Sequence, residues 1–173
     1  MNIYLKEITI EDDKRYCDLL IELSRYKDVY ARPVPDDFEY SDYEHFKKAR
    51  VSMFTRDNNP VNTYWIMDND NPIGYATLRR DIDITKPGGH LGCCLKKEYQ
   101  NKGVGTIVAN LLSEIAYSEY DIKELIYTSK NENIQSQKSI EKLGGIFIDS
   151  HDGYKFYKVD LVKKYEERRK KIW

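Results

Sequence analysis

Apolar and polar residues alternate over residues 3–10, the two-residue period of a half-buried strand. Residues 11–23 change period: Tyr16, Leu19, Leu20 and Leu23 recur every three or four positions, which predicts a helix. Residues 25–41 hold Pro33 and Pro35 and read as a loop, and 42–53 as a second helix with Ser41 or Asp42 as its cap. Residues 63–67 and 73–79 are strands, joined through 68–72 by a loop rather than a two-residue turn. Tyr64 and Trp65 belong to the core. Pro87-Gly88-Gly89 punctuates the chain before a strand over 90–95. A helix over 104–116 buries Val104, Val108, Leu111, Leu112 and Ile115. A short strand (125–128), a helix (134–143) and two strands (146–148 and 154–159) follow, with Gly153 in the last turn. Asn133 caps that helix and Gly144-Gly145 closes it. Residues 161–173 form a charged, helical tail. The pattern shows no internal repeat, and we expect a single domain spanning 1–173.

The order of elements around Gln100-Asn101-Lys102-Gly103-Val104-Gly105-Thr106 is strand, glycine-bearing turn, helix. Glycines at i and i+2 let a backbone approach a ligand closely. The following helix offers unpaired N–H groups and the positive end of its dipole. Together these suit a phosphate. The nucleoside-triphosphate loop G-x-x-x-x-G-K-[ST] does not fit, because no Lys-Ser/Thr pair follows. The dinucleotide pattern G-x-G-x-x-G fails at Val108. The pattern [Q/R]-x-x-G-x-[G/A] is met by Gln100, Gly103 and Gly105.

That loop resembles the GNAT superfamily of N-acetyltransferases, in which it grips the pyrophosphate of coenzyme A. The stretch from Asn133 to Gly145 resembles the family's second motif, N-x-x-S-x-x-x-x-E-K-x-G, through Asn133, Ser136, Glu141 and Lys142. A closer likeness over about residues 60–160 includes Val61-Asn62-Thr63-Tyr64-Trp65-Ile66, Leu78-Arg79-Arg80 and Gly88-Gly89-His90-Leu91-Gly92. It points to a subgroup labelled only as predicted acetyltransferases, which implies a fold and a cofactor but no substrate. The implied fold is a mixed α/β domain. Its six- to seven-stranded, largely antiparallel sheet is flanked by about four helices, and two parallel central strands, ending near Leu95 and Thr128, splay apart.

Composition narrows the partners. Twenty-eight basic against 29 acidic side chains leave a net charge of −1, which disfavours a general nucleic-acid binder. No apolar run approaches a membrane span, and the N-terminus lacks an apolar signal core, so a cytoplasmic location is expected. Cys17, Cys93 and Cys94 fit no zinc spacing; no metal is expected, and the thiols read as structural, with Cys94 a nucleophile only if a base stands beside it. Neighbouring Cys93 and Cys94 on a strand point to opposite faces.

The resemblance assigns acetyl-CoA to Leu95, Gln100, Asn101, Lys102, Gly103, Val104, Gly105, Thr106, Asn133 and Ser136. Backbone N–H groups near Leu95 would meet the thioester carbonyl, and residues 100–106 the diphosphate. Lys102 is favoured as a phosphate cation, with Lys96 and Lys97 evenly balanced between that role and plain surface. Asn133 both caps a helix and, in the family, contacts the pantetheine arm. Three features depart from the family. The helix position that often carries a Tyr acid is Ile140, Asn101 stands where Gly is common, and the loop begins with Gln rather than Arg. Asn tolerates left-handed geometry, and the departing thiol has a pKa near 8.5, so a dedicated acid is useful but not essential.

An amine acceptor with a pKa near 10.4 must lose a proton before it attacks. His90 is the leading base by pKa range, against a plain sheet histidine bonded to its neighbour. Asp81 and Asp83 are alternatives that also suit a cationic substrate, and Tyr157 or Tyr154 is the acid candidate. Two functions follow. One is an acetyl-CoA-dependent N-acetyltransferase acting on an amine of a small molecule or protein. The other is a non-catalytic acyl-CoA-binding module. A homodimer is implied only by analogy with relatives, and residues 25–53 are expected to shape the acceptor pocket.

Overall fold

The computed structural model describes residues 1–26, 33–54 and 61–170. The chain divides into two compact units: residues 1–78 with 92–108, and residues 79–91 with 109–173. The expected mixed α/β architecture with antiparallel strands is present, with seven strands and five α-helices among the described residues. Residues 27–32, within the expected 25–41 loop and acceptor segment, and 171–173, at the end of the tail, lie outside those described.

The first unit carries a four-stranded sheet in the order β1-β2-β3-β4: β1 (Ile3–Glu7), β2 (Val61–Asp68), β3 (Asn71–Arg79) and β4 (Leu91–Leu95). β1 and β2 pair antiparallel, with Leu5 opposite Ile66. β1 stops at Glu7 rather than at residue 10, because Asp12 pulls the chain into a turn. Its carboxylate accepts from the Thr9 N–H at 2.8 Å. The connection from β2 to β3 is two residues, tighter than the predicted loop; Asn69 takes a left-handed φ of 52° that permits it. Helix α1 (Lys14–Ser24) is capped by Asp13, which accepts from the Arg15 N–H at 2.9 Å. It buries Tyr16, Leu19, Leu20 and Leu23 as the spacing predicts. Burial of each of those leucines contributes about 2 kcal/mol. A three-residue 3-10 turn, Tyr40–Asp42, leads directly into α2 (Tyr43–Phe54), so Asp42 lies in that turn and accepts from the Glu39 N–H at 2.9 Å.

The core of this unit is aromatic. Trp65 is fully buried and lies 4.9 Å from Tyr16, 6.0 Å from Tyr75 and 6.3 Å from Phe46, centroid to centroid. A buried polar knot sits beside it. Asp12 accepts from Trp65 Nε1 at 2.6 Å and pairs with Lys6. Buried Lys47 donates to the carbonyl oxygens of Ile10 and Asp12 at 2.9 and 3.1 Å.

The second unit carries the antiparallel sheet β5-β7-β6: β5 (Glu124–Lys130), β7 (Tyr154–Asp160) and β6 (Ile146–His151). Leu125, Tyr127 and Ser129 are buried and alternate with half-buried Ile126 and Thr128, as strand geometry requires. α4 (Ile134–Lys142) precedes β6, and α5 (Leu161–Lys170) follows β7. α3 (Val104–Ser118) follows the glycine loop; Val104, Val108, Leu112, Ser113 and Ala116 are its buried residues, with Leu111 and Ile115 half-buried.

Candidate functional site: an N–H-lined loop after strand β4

In the first unit, β4 ends at Leu95 and a 3-10 turn, Lys97–Tyr99, starts two residues later. The Tyr99 and Gln100 N–H groups donate back to the Lys96 and Lys97 carbonyls at 3.0 and 3.1 Å. The Gln100 side chain also turns inward: its Nε2 donates to the Leu95 carbonyl at 2.9 Å. Gln100 therefore shapes the loop with both its backbone and its amide. Asn101 and Gly103 adopt left-handed φ values of 61° and 80°. Asn101 thus does what its tolerance of that region predicted. Left-handed residues are one component of the backbone nests that bind anions.

The Thr106 and Ile107 N–H groups both reach the Gly103 carbonyl, at 3.1 and 3.2 Å. Among the described residues, no protein acceptor meets the N–H groups of Lys102, Gly103, Val104 and Gly105. Four consecutive donors stand at the positive end of a 15-residue helix, an arrangement that suits an anion. Lys102 is exposed and adds a cation with no ion pair among the described residues. Gly105 has no local reason to be glycine. Its φ is not left-handed, and a Cβ there would meet nothing within 4 Å. Val104 and Val108, at this end of α3, are fully buried.

Lys96 and Lys97 have other partners. Lys96 Nζ lies 3.4 Å from Glu22 Oε2, and Lys97 Nζ lies 5.3 Å from the Tyr26 ring centroid. Sequence reasoning missed Glu22 and Tyr26, which are more than 70 residues away and bear no local signal.

The second unit holds the remaining candidates. Asn133 has the predicted cap geometry: its Oδ1 accepts from the Ser136 N–H at 3.0 Å. Its side-chain NH2 has no partner among the described residues, so one amide can cap and still donate outward. Ile140 is buried in α4, which makes it a core residue.

His90 is buried, and its Nδ1 accepts from the Ile126 N–H at 2.8 Å. A neutral ring bonded this way carries its proton on Nε2 and has no lone pair left to receive another. Desolvation by burial also lowers its pKa. The ring geometry is that of a sheet histidine bonded to its neighbour, and it presents a donor rather than a base. Gly89 explains this close approach: a Cβ there would stand 2.3 Å from the Ile126 carbonyl oxygen. The depressed pKa has a testable sign. Between the unfolded value near 6.5 and the lower folded value, the unfolded chain binds more protons, so stability falls on acidification. Thermal unfolding followed from pH 7.5 to 5.5 is expected to show this loss in wild type and a smaller one in His90→Gln.

Asp81 lies exposed in the bend after β3. Asp83 is engaged in its own turn, accepting from the Thr85 hydroxyl and N–H and pairing with Lys86 at 3.0 Å. The Thr85 and Lys86 bonds hold its carboxyl down at about 2. Tyr157 is buried in β7, opposite Tyr127 of β5 and 5.9 Å from the Phe147 ring, and burial raises its pKa. Buried Cys94 is pushed by desolvation to about 12, which makes it an inert thiol, while Cys93 is exposed. No cluster of three His, Cys, Asp or Glu side chains suited to a metal occurs among the described residues. No helix among them is long and apolar enough to cross a membrane.

Comparison with known proteins adds to this geometry. No curated protein matches the chain. Among solved structures, the Campylobacter jejuni N-acetyltransferase PseH in complex with acetyl coenzyme A superimposes with a TM-score of 0.64 at 16% identity, over 92% of this chain and 99% of PseH. A probable acetyltransferase gives 0.74 at 15% identity, over 91% and 92% of the two chains. The dodecameric spermidine N-acetyltransferase SpeG from Vibrio cholerae gives 0.68 at 13% identity, over 95% and 97%. At such identities these likenesses show the fold. The family profile described as Acetyltransferase (GNAT) domain matches residues 2–146, and the chain therefore belongs to the GNAT acetyltransferase family.

Proposed function

We propose that this protein is an acetyl-CoA-dependent N-acetyltransferase that acts on a primary amine of a small molecule or a protein by direct attack in a ternary complex. The row of unpaired N–H groups from Lys102 to Gly105, which ends at a glycine that local packing does not require, carries this reading. The acetyl coenzyme A in the PseH structure supports it. These N–H groups and Lys102 would take the diphosphate, with Gln100, Asn101 and Thr106 shaping the loop around it. Leu95 would present backbone donors to the thioester oxygen; such a donor is worth about 3 kcal/mol of barrier. Asn133 and Ser136 would contact the pantetheine arm.

In the reaction the amine nitrogen attacks the thioester carbonyl carbon, the C–S bond breaks, and the amine loses one proton while coenzyme A leaves as a thiolate. Asp81 is the proposed proton acceptor, directly or through water. His90 serves as an N–H donor, and Tyr157 is the remaining acid candidate. In the first unit, a cleft of about 480 Å³ is lined by Val34, Phe38, Asp42, His45, Phe46 and Arg50. It falls in the segment we assign to the acceptor.

A non-catalytic acyl-CoA-binding module is the second reading, favoured by buried Ile140 at the usual acid position and by the occupied Nδ1 of His90. Thermal unfolding with acetyl-CoA, CoA, ATP and NAD, followed by an amine panel with free-thiol detection, tests both. A ligand at 100 times its Kd stabilises by about 2.7 kcal/mol, which is several degrees. Shifts with both CoA forms and thiol release with an amine establish the enzyme. Shifts without release across the panel favour the binding module. No shift with acetyl-CoA removes both readings.

A further inference from the structure

The 3-10 turn Lys97–Tyr99 has no side-chain cap from its own N-cap residue, Lys96. The first N–H group of such a turn needs an acceptor from elsewhere. Here it comes from Tyr26, 71 residues away in sequence: the Lys97 N–H donates to the Tyr26 hydroxyl oxygen at 3.3 Å. The same hydroxyl donates to Glu22 Oε1 at 2.6 Å. The other carboxylate oxygen of Glu22 pairs with Lys96 at 3.4 Å, and the Lys97 ammonium lies over the Tyr26 ring. The end of α1 is thereby tied to the first two of the four residues that connect β4 to the glycine loop.

We propose that Tyr26 is a positioning residue for the acyl-CoA loop, whose hydroxyl holds the Lys96–Lys97 backbone so that the Lys102–Gly105 donors are set before ligand arrives. The proposal rests on reading that loop as the acyl-CoA site. It also gives Lys96 and Lys97 a purpose other than phosphate charge: they receive the latch. Burial and the Glu22 bond push the Tyr26 phenol up to about 12, so it keeps its proton and donates throughout the neutral range. The link is short in space and wholly within the first unit.

Tyr26→Phe removes the hydroxyl and keeps the ring under Lys97. Titration calorimetry with coenzyme A itself, on the full chain, is the test, alongside thermal unfolding without ligand and amide exchange at Lys97. We expect an unliganded melting temperature lowered by a few degrees for the two lost hydrogen bonds, faster exchange at Lys97, and a coenzyme A Kd raised about two- to tenfold, the usual range for the bond that positions the loop. A variant that lowers thermal stability but leaves the Kd unchanged makes Tyr26 merely structural and overturns the proposal, as does unchanged exchange at Lys97. Should Tyr26→Phe unfold, Glu22→Gln tests the same latch from its other side, with the same expected weakening. Wild-type protein that fails to bind coenzyme A defeats the acyl-CoA reading itself and the latch with it. That outcome is distinct from wild type and Tyr26→Phe binding equally, which defeats the latch alone.

Discussion

Gly105→Ala is expected to make the unliganded protein more stable and to weaken its hold on coenzyme A. The two signs are opposite because the two roles of the residue are separable. Gly105 lies in the first turn of α3 without a left-handed φ, and a Cβ there would touch nothing. Alanine in a helix is favoured over glycine by about 0.5–1 kcal/mol, so folding gains. On the proposed acyl-CoA reading, the same methyl group would stand where the diphosphate approaches the Gly105 N–H. A loss of affinity of at least about tenfold, or 1.4 kcal/mol, is expected. Melting curves with and without coenzyme A read both effects on one sample. Unchanged affinity would remove the diphosphate from this loop.

Asp12→Ala is expected to cause the largest stability loss of any single change considered. The carboxylate is buried, accepts from Trp65 Nε1 at 2.6 Å and from the Thr9 N–H at 2.8 Å, and pairs with Lys6. Removing it leaves a buried indole N–H and a turn N–H without acceptors. Lys6 is 34% exposed and can turn to water, which lessens the damage. Breaking a buried pair typically destabilises by about 3–5 kcal/mol, and the lower end applies here. That is a large share of the roughly 5–15 kcal/mol that holds a domain folded. Denaturant unfolding of Asp12→Ala and Asp12→Asn checks this, with the Asn variant falling between wild type and Ala. A loss below about 1 kcal/mol for Ala would show that the knot is not a structural anchor.

Local chemistry was legible in the sequence, and distant partnership was not. The strand–turn–helix order around Gly103, the left-handed tolerance of Asn101 and the cap at Asn133 are set by residues a few positions apart, so pattern reading finds them. Burial of Val104, Val108 and Leu112 follows from helical spacing for the same reason. The Trp65–Asp12 bond spans 53 positions and Tyr26–Lys97 spans 71, and nothing in either neighbourhood announces its partner. His90 illustrates the limit most clearly. Its pKa class suggested a base, but the proton's place on the ring is decided by the Ile126 N–H, 36 residues on. The β2–β3 connection was misjudged because Asn69 supplies the left-handed conformation that a two-residue turn needs without any glycine.

The setting of Trp65 has a practical consequence for watching this protein unfold. The chain contains two tryptophans, Trp65 and Trp173. In a Trp173→Phe background the remaining indole is the lone tryptophan, wholly dry, hydrogen-bonded to a carboxylate and packed against tyrosine. Its emission would report the melting of the first unit alone. The second unit would then be followed by amide exchange at the Ile126 N–H, which is bonded to His90. Two probes thus address the two units separately, and would reveal whether they melt as one cooperative body or in succession.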